Sequence, residues 1–290
     1  MTKDALVTDF KSLGVTNGDI IFIRADLGAV LSAGWTPNFA NIFIEALSSV
    51  VGDEGTIISL SSTKCSLWPN KNTPFRVDTP TFAGALPQKM LNLPGAKRSR
   101  HPTCSFVAIG KSAEFLTADH GPDSPAFEPL RKIIELGGKM VLVGCVYSNP
   151  GFTTAHLAEF DLGMVTKLIF PSLFSCYYVN DDGEVKLFRR TDPGLCSASY
   201  SKFYSYYVTA GILRSGLVGK AYSIMVPSKE AYSIEKEILS KDSKFNICGN
   251  SACFVCNAWR WDRIYRLPIF IIKRIIKKYF NNESTLKSGI

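Results

Sequence analysis

Apolar positions along the chain change period several times, and each change marks an element. Leu6, Phe10 and Leu13 recur at helical spacing, and Gly14 follows as a stop. Residues 19–23 (DIIFI) read as a short apolar strand, and residues 38–51 as an amphipathic helix. The run GDEGTIISL then supplies a turn and a second buried strand. Residues 63–80, rich in Pro, Asn and Thr, read as a loop. Short helices are predicted at 83–93 and 129–136, and strands at 105–109 and 139–143. A further short helix opens at, or lies beside, 156–161.

The second half changes character. Residues 175–179 and 184–189 flank Asp181-Asp182-Gly183, which is a hairpin signal. A strand at 222–226 and an amphipathic helix at 228–239 follow. Alternating helices and strands without internal repeats predict one α/β domain, carrying a β-hairpin insertion, over residues 1–258. Residues 259–290 form a separate basic tail by this reading.

Composition narrows the class. The chain is 46% hydrophobic and 20% charged, enough apolar material for a core. Its net charge of +8 is uneven: residues 260–290 hold eight Lys or Arg against Asp262 and Glu283, a net of +6. The body is therefore near neutral, and no nucleic-acid recognition motif accompanies a basic face. The N-terminus lacks the apolar stretch of a signal peptide, and no apolar run reaches the roughly 18 residues needed to span a bilayer. The body is thus expected to be cytoplasmic, with its eight cysteines reduced.

Candidate chemistry is sparse. Among three histidines, His156 has the richest context, in Gly151-Phe152-Thr153-Thr154-Ala155-His156-Leu157-Ala158-Glu159. On a helix, His156 and Glu159 share a face, and a carboxylate beside an imidazole holds one tautomer and raises its basicity. Thr153 or Thr154 offers a hydroxyl, and Gly151 permits close approach. A helix N-terminus capped by Thr154, with a solvated His–Glu pair, accounts for the same spacing. His101 lies among Arg98, Ser99, Arg100, Thr103 and Ser105, a cluster suited either to holding phosphates or to an ordinary basic turn. Cys248, Cys253 and Cys256 are closely spaced, but no fourth ligand follows them, and Phe254 and Val255 suggest a buried strand there, so no metal is expected. A G-x-S-x-G elbow, a P-loop and a G-x-G-x-x-G fingerprint are all absent.

Several blocks then resemble one family. Residues 97–120, KRSRHPTCSFVAIGKSAEFLTADH, resemble the R-S-x-H-P-x-x-S-F-x-A-x-G block of aminoglycoside 3-N-acetyltransferases. GFTTAHLAE is similar to that family's T-x-L-H-x-A-E segment, with Ala155 where Leu is usual. LGVTNGDIIF, GDEGTIIS, FRVDTPTFAGAL and AGILRSGLVGKAYSIMVPSKEA match further blocks in order. The resemblance implies that family's single-domain α/β sandwich and acetyl-CoA as donor. It implies His156 as the base that deprotonates an amine, Glu159 as its orienting carboxylate, and Thr154 or a backbone N–H at the oxyanion. It also implies that Arg98, Ser99, His101 and Ser105 shape the coenzyme A site.

Two departures bear on substrate. The family's V-H-S-S-L run is here Ile23-Arg24-Ala25-Asp26-Leu27, and its G-T-L-V-M-P run is Gly55-Thr56-Ile57-Ile58-Ser59-Leu60. A resistance enzyme should line its cleft with carboxylates, for which Asp161, Asp181, Asp182 and Glu184 are the candidates, yet the chain shows no marked acidic excess. A nucleotide-linked amino sugar, bound for a surface polysaccharide, would instead favour Arg24, Arg189 or Arg190. That acceptor is the leading expectation, with an aminoglycoside as the alternative. Transfer to a hydroxyl, or an inactive coenzyme A- or sugar-binding module, stands behind both. Oligomeric state is not readable. The tail at 268–280 alternates Ile pairs with Lys/Arg pairs, which suits peripheral contact with the inner membrane surface or docking on protein.

Overall fold

A computed structural model describes residues 1–31, 38–66, 68–165, 175–190, 192 and 195–286. Helix α1 (Lys3–Leu13) buries Leu6, Phe10 and Leu13, its N-terminus capped by the Thr2 hydroxyl and its end set by Gly14 at φ 105°. Each such side chain, fully buried, contributes roughly 1.5–3 kcal/mol. Next come β1 (Ile20–Ala25), a short α2 (Leu27–Leu31), α3 (Phe39–Val51) and β2 (Thr56–Leu60). They are followed by α4 (Ala85–Leu91), β3 (Lys97–Arg98), β4 (Phe106–Gly110), α5 (Ala113–Thr117) and α6 (Pro129–Glu135). Strand β5 (Lys139–Val143), α7 (Thr154–Asp161) and the hairpin β6 (Ser175–Val179) and β7 (Val185–Arg189) come next. A 3-10 turn (Ser197–Phe203) runs into α8 (Tyr204–Thr209), then β8 (Arg214–Val218), β9 (Ala221–Pro227), α9 (Ser228–Lys241) and the terminal α10 (Leu267–Leu286).

Seven strands form one mixed sheet in the order β3-β4-β2-β1-β5-β9-β8. β1 is parallel to β2 and β5, and antiparallel strands extend the sheet on both sides. The two-residue period divides the core between the faces. Ile21, Ile23, Val141 and Val143 pack with α1 and α3; Phe22, Met140 and Leu142 pack with α6, α7 and α9. The result is an α/β sandwich of helices on both faces of the sheet, as the sequence implied. The hairpin forms its own two-stranded sheet, tied to the 63–80 loop by bridges Ser66–Ser175 and Phe75–Tyr178.

Several features differ from the sequence reading, the short α2, β3, α5 and α8 among them. β8 was not predicted: as an edge strand with three of its five residues exposed and Gly216 at its centre, it lacks an apolar alternation. Packing continues past residue 258, because Trp259 and Arg260 are both buried against the body. Residues 255–259 form a π-helical turn rather than a strand. Among the described residues no helix is long and apolar enough to cross a membrane.

Candidate active site

The carboxyl ends of the parallel strands β1, β2 and β5 open into a cleft of about 620 Å³. This is where open α/β sheets place ligands. Arg24, Ala25 and Asp26 come from the end of β1, Ser59 and Leu60 from β2, and Cys145 from just beyond β5. Both stretches that depart from the family pattern thus border the cleft. The opposite wall carries Phe152, Thr153, His156 and Tyr200.

His156 lies in the first turns of α7. Its Nδ1 stands 3.0 Å from Glu159 Oε2 and 2.8 Å from the Tyr200 hydroxyl, while that hydroxyl donates to Glu159 Oε1 at 2.7 Å. Asn246 Nδ2 also donates to Glu159 Oε1, and Arg260 holds Asn246 Oδ1 at 2.7 Å. An ionised carboxylate only accepts, so Nδ1 carries the proton it shares with Glu159. Nε2 is then the nitrogen with a free lone pair, and it has no hydrogen-bond partner among the described residues. Phe127 stacks on the ring at 5.0 Å between centroids, excluding water from that face. The pair is not the solvated pair of an ordinary helix end, since Glu159 is only 2% exposed.

Gly151 makes the Tyr200 contact possible. It sits at φ +82°, and a Cβ there would lie 2.0 Å from the Tyr200 Cβ. Gly151→Ala is therefore expected to cost at least about 1 kcal/mol in stability through the backbone alone. It should also push Tyr200 off the His156–Glu159 pair, lowering kcat in the folded variant. Thermal melting together with steady-state kinetics checks both.

Thr154 takes a different place from the one expected at the oxyanion. It is fully buried, and its hydroxyl donates to Glu235 Oε1 at 2.9 Å, away from the cleft, because residue 154 faces α9 while residue 153 faces the cavity. Tyr207 donates to the same oxygen. Burial pushes the Glu235 carboxyl up to about 8, against the lowering effect of these two donors. The folded chain then keeps this proton to about pH 8, whereas the unfolded chain releases it near 4.5. Stability from this group is full below pH 4.5 and is lost as pH rises through 8. Glu235→Gln should flatten that part of the melting-temperature profile between pH 5 and 8; profiles that stay parallel would contradict it.

The Arg98–Ser105 block knits the sheet edge together. Arg98 contacts the carbonyls of Ser61, Val77 and Thr79 and donates to Ser105 Oγ at 3.0 Å. Ser99 bonds Phe106 N and His120 Nδ1, each within 2.9 Å, and Ser105 donates to Ser61 O. His101 is 1% exposed, accepts at Nδ1 from the backbone of Thr103 and Cys104, and stacks on His120. Burial holds it far below the usual imidazole range, at about 2, so it stays neutral. None of the four lines the His156 cleft; Arg98, with Arg76 and Arg100, lines a separate cavity of about 1060 Å³. That cavity is larger but shares no residue with the cleft, which His156 lines with Glu159 buried behind it.

The arginines expected to meet a diphosphate are largely committed. Arg24 donates to the carbonyls of Gly151 and Asn149, each at 3.0 Å, tying β1 to the entry of α7. Arg190 pairs with Asp192 and bonds its carbonyl. Of the candidate carboxylates, Asp161 is bound by Arg131 and Tyr232, Asp181 by Arg100 and Glu184 by Lys186. Asp26 is the carboxylate that lines the cleft. Sequence reasoning missed Tyr200, Asn246, Arg260 and Phe127, all of which reach the site from distant segments.

Comparison with known proteins agrees with this architecture. A family profile described as Aminoglycoside 3-N-acetyltransferase matches residues 28–240. Aminoglycoside N(3)-acetyltransferase VII of Streptomyces paromomycinus is 31% identical over 182 residues, covering 55% of this chain and 60% of that protein. Aminoglycoside N(3)-acetyltransferase III of Salmonella sp is 32% identical over 176 residues, covering 54% of this chain and 60% of that protein. The match thus spans 60% of the length of these two curated relatives. A solved structure of AAC-IIIb in binary complex with CoASH superimposes with a TM-score of 0.70 at 26% identity, over 83% of this chain and 97% of that one. With the family profile covering well over half of its length, this chain belongs to the aminoglycoside 3-N-acetyltransferase family.

Proposed function

We propose that the chain transfers the acetyl group of acetyl-CoA to an amine of an aminoglycoside, with His156 as general base. The observation that carries this reading is the imidazole in the cleft wall, its Nδ1 tied to a buried carboxylate 3.0 Å away. The family's relatives support the donor and the acceptor class. An amine is mostly protonated at neutral pH and must lose a proton before it can attack. One proton goes to solvent, leaving the neutral amine; as its nitrogen bonds to the thioester carbonyl carbon, His156 Nε2 takes the second N–H proton. The resulting imidazolium is stabilised by Glu159, and its proton passes to the departing thiolate as the carbon–sulfur bond breaks. With Thr154 turned into the core, a backbone N–H is left to support the oxyanion. Ala25, Gly28, Ala83, Gly84 and Ala85 keep one wall of the cleft thin, which leaves room for a thioester arm.

The aminoglycoside is preferred over a nucleotide-linked amino sugar because Arg24 and Arg190 are engaged with carbonyls and Asp192 rather than free for a diphosphate. Coenzyme A release should be measured with a panel of aminoglycosides and with a nucleotide-linked amino sugar. Turnover of an aminoglycoside is expected; turnover of the nucleotide sugar alone would reverse the assignment, and no release with any amine would remove it.

The tail adds a location to this reading. Ile269, Ile271, Ile272, Ile275 and Ile276 are exposed on α10 beside Lys273 and Arg274. The side chains of 277–280, the rest of the sequence pattern, lie outside the described residues. Such a helix suits peripheral attachment to an anionic bilayer. Removing residues 268–290 is expected to abolish co-sedimentation with anionic liposomes, and unchanged partitioning would end the membrane assignment.

A further inference from the structure

Four of the eight cysteines converge on one point. Cys196, Cys248, Cys253 and Cys256 place their sulfur atoms within 4.8 Å of one another. The fourth member comes from 52 positions upstream of Cys248, which is why spacing in the C-terminal segment alone suggested an incomplete set. All four are free thiols, and Cys253 and Cys196 stand 3.7 Å apart, Sγ to Sγ, far beyond the roughly 2.0 Å of a disulfide. In a tetrahedral zinc–thiolate site, bonds of about 2.3 Å put the sulfurs about 3.8 Å apart. We propose that these four residues form a tetrahedral zinc site.

Two further observations, and the nature of the ligands, fit that chemistry. Backbone N–H groups already point at the sulfurs: Cys256 N at Cys253 Sγ and Cys248 N at Cys256 Sγ, both at 3.5 Å. Such donors stabilise thiolates rather than thiols. Four thiolates around a divalent ion leave a net negative charge, and cations sit on the adjoining backbone. Arg263 donates to Cys256 O at 3.1 Å, and Lys202 donates to Ile247 O at 2.8 Å. Soft sulfur ligands in tetrahedral array select zinc among common divalent ions, and sulfurs this close leave no room for a multi-iron cluster.

The location gives the site a structural consequence. Cys196 immediately precedes the 3-10 turn that carries Tyr200, while Cys248, Cys253 and Cys256 lie within the segment between Asn246 and Arg260. Tyr200 and Asn246 are two of the three donors to Glu159. Zinc therefore clamps together the two distant segments that hold the His156–Glu159 pair, and the four cysteines act as positioning residues.

Elemental analysis of the full chain, purified without chelator from zinc-supplemented cells, is expected to find one zinc per chain. Cys196→Ser and Cys253→Ser should each lower that content at least several-fold. Iodoacetamide labelling followed by mass spectrometry provides a readout on the parent protein itself. With zinc bound, Cys196, Cys248, Cys253 and Cys256 should be protected; after removal of zinc with a chelator they should label, while Cys65 and Cys176 keep their labelling unchanged. Cobalt in place of zinc should show the intense visible bands of a tetrahedral thiolate site. Zinc below one-tenth per chain, iron in its place, a Cys196–Cys253 disulfide in freshly purified protein, or labelling insensitive to zinc would each overturn the proposal. None of these readouts depends on acetyl transfer, so they stand whatever the acceptor proves to be.

Discussion

His156→Ala is expected to reduce kcat by roughly 10²–10⁴-fold, the usual contribution of a positioned base, with little change in KM. The reason is local. The imidazole Nε2 combines a lone pair without a partner among the described residues with a place in the cleft wall, and the substitution removes it without disturbing what lies behind. Glu159 keeps its bonds from Tyr200 and Asn246, so no buried carboxylate is orphaned and the variant should fold. Loss of the Phe127 stack on the ring should cost no more than about 1–2 kcal/mol. A variant that melts near the parent temperature and still turns over at a third of the parent rate or more would show that the proton leaves by another route.

Glu159→Gln should be nearly as damaging, for a different reason. Three donors converge on this carboxylate: His156 Nδ1, the Tyr200 hydroxyl and Asn246 Nδ2. A carboxamide has one accepting oxygen and one donating nitrogen, so one of the three now faces another donor. If His156 yields, its proton moves to Nε2 and the lone pair that would accept the amine proton is lost. The charge that stabilises the imidazolium is lost in either case. A fall in kcat of roughly 10²–10³-fold is expected, with about 1–3 kcal/mol lost from stability through the unmatched donor. Stability and catalysis separate cleanly here. Lower melting temperature with unchanged kcat per folded molecule would make Glu159 a purely structural residue.

The sheet and the His156–Glu159 pair were legible in different ways. Leu6, Phe10, Leu13 and Gly14 predict α1 because helical period and a left-handed stop act within one short segment. DIIFI and KMVLV predict β1 and β5 because central strands, covered on both faces, read as continuous apolar runs. β8 escaped because an edge strand needs no such run. His156 and Glu159 were found through their local spacing and through the family resemblance. Tyr200 and Asn246, 41 and 87 residues from Glu159, carry no local signal of their role. Nor does Cys196 signal its partners: proximity in space across the turn before α8 and the segment after α9 is a property of the packed chain.

Thr154 illustrates the opposite error. A hydroxyl two residues before His156 invites an oxyanion assignment, but a helix turns about 100° per residue, so neighbours face different ways. Residue 153 lines the cleft, and residue 154 points at Glu235. The basic block at 97–101 misleads in a similar manner, because a cluster of cations in sequence does not say whether they meet a ligand or the chain's own carbonyls. Arg98 meets carbonyls.

The proposed mechanism requires the acceptor amine to be presented to His156 in the 620 Å³ cleft rather than in the larger cavity beside Arg98. A crystal structure of the chain with coenzyme A and an aminoglycoside measures this directly. The reacting nitrogen should lie within roughly 2.6–3.2 Å of His156 Nε2, or one water away from it, with the coenzyme A sulfur on the same side of the ring. An amine seated against Arg98 and Arg100, with His156 touching neither ligand, would contradict the mechanism.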